Sequence, residues 1–246
     1  MINTIDATEV DRFRQIATEW WDRNGKFSPL HKQTPARLKF IRDTIIRHYG
    51  LVESKIKPLE KVTILDIGCG GGIISEPLAR IGAQVLGIDP CLENIETARS
   101  HAKDQEDLNV SYRHTTVEEI VSQGSQYDAI VCLEVLEHVP NPELFCKLCS
   151  QLLRSGGIMV FSTLNRNLKS YALAILTAEY VLKWLPRGTH DWKRFITPDE
   201  LRNYLLAAGL SDPLFKGLVY NILTDTWNLS DDLDVNYLAS TSKSRD

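Results

Sequence analysis

The stretch Val62–Gly72, "VTILDIGCGGG", constrains the fold more than any other part of the chain. Its apolar start reads as a short buried strand, and it runs directly into glycines at 68, 70, 71 and 72. Glycines so placed serve a chain that must turn sharply and let a ligand approach its backbone. The next strand-like run, "AQVLGID", ends in Asp89, 21 residues beyond Gly68. An acid about 20 residues past such a turn is the usual acceptor for a ribose hydroxyl pair. Glycine turn and acid together predict a ligand that carries an adenosine-like ribose.

The spacing also sorts the ligand classes. A dinucleotide loop wants GxGxxG, whose third glycine allows close helix packing. Counted from Gly68 that third position is Ile73, and counted from Gly70 it is Ser75. The loop is GxGxG, preceded by Asp66. An NAD-linked oxidoreductase is therefore the weakest reading.

Strand and helix alternate downstream. "IISEPLARIG" and "CLENIETARSHAKD" read as helices, and "VSYRHTT", "YDAIVCLE" and "GIMVFSTL" as the third to fifth strands. Asn141 as N-cap and Pro142 at the first position open a helix with Gly156 just past its end. Thr197 and Glu200 form a capping box for a later helix that Gly209 ends, and two strand-like pieces follow. This alternation predicts an α/β fold, a mostly parallel seven-stranded sheet with helices on both faces. Right-handed crossovers then gather the strand-to-helix loops on one edge, where ligands bind. Ahead of the sheet, Val10, Phe13, Ile16 and Trp20 fall at helical spacing. "NGKFSPLHKQTP" reads as a loop, and a second helix is expected from Thr34 as N-cap to Gly50.

With 246 residues, one domain is expected, built of a helical cap (about 1–60), a cofactor-binding core (about 61–164), a substrate or lid insertion (about 165–195) and a C-terminal helix with strands (196–246). The net charge of −4 implies no general affinity for nucleic acid. The five scattered cysteines suit a reducing cytosol, and the N-terminus carries no secretory signal. Cys146 and Cys149 form a CxxC with no second pair, which reads as two small buried hydrophobes. Tyr171–Leu185 is apolar on nearly every face, apart from Thr177, Glu179 and Lys183, with Arg187, Lys193 and Arg194 beyond it. Core helix, lid over a ligand's apolar tail and interfacial anchor all fit that pattern.

Seven motifs in order carry a resemblance: "EWWD", "FSPLHKQTPARLKFI", "LDIGCGGGIISEPLAR", "EVLEHVPNPE", "FSTLNRN", "RGTHDWKRFITPDEL" and "DVNYL". Together they resemble the ubiquinone-biosynthesis O-methyltransferase family, of the class I S-adenosylmethionine-dependent methyltransferases, from about Trp20 to Leu238. The resemblance implies a Rossmann-like fold that transfers methyl groups to ring hydroxyls of polyprenylated phenols and catechols, at two steps of one pathway. It implies S-adenosylmethionine contacts at Arg37, Asp66, Gly68, Gly70, Asp89 and Leu133, with Thr116, Val117 and Glu118 flanking the adenine. Arg37 would pair with the cofactor carboxylate, and Thr34 stands where the family has asparagine. It further implies a cytoplasmic enzyme, peripheral on the inner membrane, with membrane-surface contact through 171–194 and other quinone-biosynthesis proteins as partners.

"LEVLEHVP" holds the remaining chemistry. Glu134, Glu137 and His138 stand at i, i+3 and i+4, on one side of a helical turn. Two carboxylates and an imidazole suit a divalent cation, and the resemblance implies Mg²⁺ on these three residues. A cation would lower the phenol pKa from about 10 and orient the oxygen. The rivals are His138 as a metal-free general base, or a turn whose polar groups cap the next helix. His190 is a second candidate base; it and Asp191 are neighbours that on an extended chain point to opposite faces. A methyltransferase for another small phenol, or a non-catalytic scaffold that keeps the cofactor fold, are the other functions the sequence allows.

Overall fold

A computed structural model describes residues 4–105, 107–172 and 191–245. The apolar runs form β1 (Thr63–Ile67), β2 (Gln84–Asp89), β3 (Val110–His114), β4 (Tyr127–Leu133) and β5 (Leu153–Leu164). The C-terminal segment adds β6 (Leu214–Asn221), β7 (Thr226–Ser230) and β8 (Asn236–Ser242). They make one sheet in the order β3-β2-β1-β4-β5-β8-β6-β7. β1 to β5 pair in parallel, while β8, β6 and β7 join antiparallel. The sheet therefore has eight strands where seven were expected. The extra one is β7, "TWNLS", whose alternation rests on only two apolar residues, Trp227 and Leu229, packed at the margin of the core.

The helices are α1 (Ala7–Arg14), α2 (Ser28–Tyr49), α3 (Ser75–Arg80), α4 (Leu92–Lys103), α5 (Val117–Ser122), α6 (Pro142–Gln151), the single turn α7 (Leu168–Ser170) and α8 (Pro198–Ala207). α2 begins six residues before the expected Thr34 cap. Pro29 sits in its first turn, where a missing N–H costs nothing, and the Thr34 hydroxyl donates to the Leu30 carbonyl (2.9 Å) instead of capping. Pro35 lies inside the helix, which the burial of Arg37, Ile41, Ile45 and Ile46 outweighs. Gly50 ends it at φ 62°, as expected. α6 and α8 start at the expected caps, Asn141 and Thr197. α6 stops at Gln151, however, and Gly156 belongs to β5.

Alternate strand residues feed two cores. Leu65, Ile130, Met159 and Phe161 pack with residues of α5, α6 and α8, and Ile64, Val131 and Val160 pack with α2 and α3. All five cysteines are buried and free, and Cys146 and Cys149 lie in the first core.

The two halves of the sheet end differently. Pairing of β8 with β6 stops at Leu218↔Asn236, beside the C-terminal end of β5. Pairing of β6 with β7 runs on to Asn221↔Thr226. At about 3.4 Å per residue, the β6–β7 hairpin overhangs the ligand edge by about 10 Å.

Candidate active site

A cavity of about 1000 Å³ lies along the edge where β1, β2 and β4 end. Its wall includes Arg37, Asp66, Gly68, Asp89, Leu133, Glu134 and His138, so most of the expected site residues come together. It continues across the sheet to Leu218, Val219, Ile222 and Trp227 on the hairpin. Thr116, Val117 and Glu118 line it as well.

The glycine loop is shaped first by protein side chains. A Cβ at Gly68 (φ 69°) would lie 2.4 Å from Val135 Cγ2, and one at Gly70 (φ 52°) 2.3 Å from the Trp20 ring. Gly70 is not part of the cavity wall; it backs onto Trp20, and its N–H donates to Asp89 Oδ2 (3.0 Å). Trp20 Nε1 donates to Asn94 Oδ1 (2.8 Å) and Trp21 Nε1 to the Gly71 carbonyl (2.9 Å). The "EWWD" motif thus packs directly on the loop, with Trp20 itself on the cavity wall.

The two aspartates are wired into the same region. Asp89 Oδ1 accepts the Cys91 N–H (2.8 Å) and the Asn94 side-chain amide (3.2 Å). Burial pushes its carboxyl up to about 6 against these bonds. Asp66 accepts from Ser75 Oγ (2.5 Å), and burial pushes it up to about 7, with the Asp89 charge adding.

Arg37 is almost wholly buried, and its Nη2 donates to Glu134 Oε1 (2.5 Å). Glu134 follows β4 at φ 54°, a left-handed conformation, and also accepts from Ser162 Oγ (2.7 Å). Three buried polar atoms on wall residues have no hydrogen-bond partner among the described residues: Arg37 Nε, Gln33 Oε1 and Glu118 Oε2. A ligand with a carboxylate and several polar groups fits that set, because a buried polar atom is costly unless paired.

The Glu134–Glu137–His138 cluster does not gather. Glu134 serves Arg37. Glu137 is buried behind the cavity wall and accepts from Thr163 Oγ1 (2.8 Å). Burial, with the nearby Glu134 charge, holds its carboxyl well above the usual carboxylate range. His138 Nδ1 donates to Glu9 Oε2 (2.8 Å) on α1, with the Phe13 ring edge-on at 5.3 Å. Among the described residues no group of three His, Cys, Asp or Glu side chains is placed to hold a metal ion. The donor set therefore does not fit Mg²⁺. The reason is local: Leu136–His138 is a 3₁₀ turn entered through a left-handed residue, so i, i+3 and i+4 do not share a face as on an α-helix.

Glu9, Gln33 and the bond from Thr4 to Glu118 (2.7 Å to the Thr4 N–H) escaped the sequence reading. The Glu9–His138 contact spans 129 residues and no local spacing marks it. Gln33 does stand one helical turn before Arg37, a signal that the loop assignment of "NGKFSPLHKQTP" hid. His190 and residues 173–185 of the apolar segment lie outside the described residues. No helix among the described residues is long and apolar enough to cross a membrane.

Comparison with known proteins gives one picture. A family model described as a methyltransferase domain matches residues 11–212. The ubiquinone biosynthesis O-methyltransferase of Parvibaculum lavamentivorans is 49% identical over 244 residues, covering 99% of this chain and 96% of the relative. The protein of that name from a Chelativorans species is 50% identical over 240 residues, covering 98% and 94%. Among solved structures, magnesium protoporphyrin IX methyltransferase from Synechocystis with bound S-adenosylhomocysteine superposes with a TM-score of 0.64 at 18% identity, covering 97% of this chain and 95% of that one. Its form with bound S-adenosylmethionine gives 0.61 at 15% identity, covering 99% and 100%.

Proposed function

Because the chain belongs to the ubiquinone biosynthesis O-methyltransferases, S-adenosylmethionine-dependent enzymes of the class I fold, we propose that its cavity takes the cofactor over β1, β2 and β4 and a polyprenylated phenol or catechol beside it, over β5 and β8. The reaction is O-methyl transfer in ubiquinone biosynthesis. The observation that supports the substrate placement is one continuous cavity, polar where β1, β2 and β4 end and apolar at the β6–β7 hairpin.

The cofactor supplies an electrophilic sulfonium methyl group. What the chain must do is hold and orient both partners and take up one proton. Arg37 offers its Nε to the cofactor carboxylate while Glu134 holds the guanidinium in place. Asp89 receives the ribose hydroxyls, and its bond to the Gly70 N–H ties that contact to the loop. His138 takes the phenol proton: with Nδ1–H held by Glu9, Nε2 is the basic nitrogen. Since the residues do not fit Mg²⁺, no step runs through a metal. An acceptor with a polyprenyl tail resides in a bilayer, so the enzyme would work at the inner-membrane surface, which flotation with vesicles tests.

The deciding assay is methylation of a prenylated catechol by wild type and His138→Gln. A general base contributes about 10²–10⁴-fold, so kcat should fall by that range while S-adenosylhomocysteine still binds. An unchanged kcat would remove His138 as the base. Absence of methylation by the wild type would remove the substrate.

A further inference from the structure

The β6–β7 overhang is an unusual end for a hairpin. Turn tips normally carry Gly, Asn, Asp or Ser, which suit the backbone and water. Here Asp225 takes the left-handed position (φ 51°), but the tip also carries Ile222 at 80% and Leu223 at 92% exposure. Ile222 also belongs to the cavity wall, so the cavity opens to solvent at the tip. Behind it, Leu218 and Trp227 continue the wall inward, and Leu30 in the first turns of α2 belongs to the same cavity. The Lys32–Asp225 bond (2.8 Å) pins that stretch of α2 to the hairpin tip. The result is a largely apolar passage that starts beside the ligand edge of β5 and β8 and ends at Ile222, with Leu223 exposed next to it in the turn. Water is a poor occupant for such a wall, and a small polar ligand would gain nothing from it.

We propose that this passage is a subsite for a hydrocarbon tail of isoprenoid type. A ligand whose ring lies at His138 sends its chain past Leu218 and Trp227 and out between Leu30 and Ile222. The subsite rests on the acceptor being a prenylated phenol, as proposed above, and adds where its tail runs and which residues select it.

The test replaces the exposed tip, whose side chains support no core: Ile222→Glu with Leu223→Glu. Two acceptors are compared, an unsubstituted catechol and one carrying a geranyl chain. KM is measured for each, and so is calorimetric affinity in the presence of S-adenosylhomocysteine. The wild type should prefer the geranyl catechol, and the variant should lose about tenfold of that preference, the size expected from one or two aliphatic contacts. Its KM for the bare catechol, which carries no tail to reach the tip, should change less than its KM for the geranyl form. A variant that keeps the full preference overturns the subsite. So does a variant that keeps the preference but no longer binds phospholipid vesicles, which would make the tip a lipid contact. If neither catechol is methylated, yet the wild type binds the geranyl form more tightly and the variant does not, the proposed reaction falls and the subsite stands.

Discussion

At the glycine-loop end of the cavity, backbone and side chains hold one another. Gly68 and Gly70 face Val135 and Trp20 with no room for a methyl group, and Asp89 accepts three hydrogen bonds. At the hairpin end, Ile222 and Leu223 stand in solvent and the wall is aliphatic and aromatic. On the proposed reading the difference follows from what each end binds. A ligand recognised through charges and hydroxyls needs polar groups held in fixed positions, because a buried polar atom that misses its partner is costly. A tail recognised by area alone needs only an apolar surface of about the right shape. Substitutions should therefore act on folding and cofactor affinity at one end, and on acceptor choice alone at the other.

The largest effect is expected at Gly70. Gly70→Val puts a branched side chain at φ 52° and into the Trp20 ring. Left-handed strain and overpacking each cost about 1–3 kcal/mol, so the loss should be about 3 kcal/mol or more, read from urea unfolding. Pairing the milder Gly70→Ala with Trp20→Ala should recover part of its loss, a coupling of about 1 kcal/mol in a double-mutant cycle. Strict additivity would mean that Trp20 does not shape the loop.

The same contrast governs what could be read from the chain. Local periodicity and caps found β1 to β5, the N-caps Asn141 and Thr197, and the Gly68–Asp89 pairing, because each signal lies within a few residues or one βαβ unit. Arg37, Asp66, Asp89, Leu133 and His138 were named from sequence and all line one cavity. What was illegible depends on long-range contact. Glu9 meets His138 only because α1 folds across the sheet edge. The predicted metal cluster assumed an α-helical turn, and the left-handed Glu134 broke that geometry. β7 alternates as a half-solvated strand should, but with only Trp227 and Leu229 as apolar residues the pattern is too short to stand out from the polar segment around it.

Next in size is Arg37→Met. Methionine keeps the apolar stem but removes the donor from Glu134 and, on the proposed reading, from the cofactor carboxylate. A charge-assisted bond of about 1.5–3 kcal/mol converts to about 10–100-fold weaker S-adenosylhomocysteine binding by calorimetry. An equal loss from Ile222→Glu would erase the division between the two ends.

A smaller effect should appear as pH dependence. Asp66 holds its proton in the folded state up to about 7, whereas the unfolded chain releases it near 3.8. The folded state thus binds more protons between these values, so stability falls as pH rises from about 4 to about 7. Asp89, raised to about 6, acts in the same direction. Asp66→Asn keeps an acceptor for Ser75 but cannot ionise, so it should gain on the wild type as pH rises from 5 to 8, by on the order of 1–2 kcal/mol. Urea midpoints across that range measure it, and parallel curves would mean that Asp66 is not held neutral.

The smallest effect belongs to the hairpin tip, where the comparison is most easily broken. Ile222 and Leu223 are 80% and 92% exposed, so folding gains almost nothing from them. Ile222→Glu and Leu223→Glu should each shift unfolding free energy by less than about 0.5 kcal/mol, the usual range for a surface position. They remove no described hydrogen bond of the hairpin, whose pairing runs through the backbone of Gly217–Asn221 and Thr226–Ser230. A loss above about 1 kcal/mol would show that the tip is packed in the folded protein. Its aliphatic side chains would then serve the fold, as Trp20 does at the other end, and selectivity for a tail would have to come from elsewhere in the cavity.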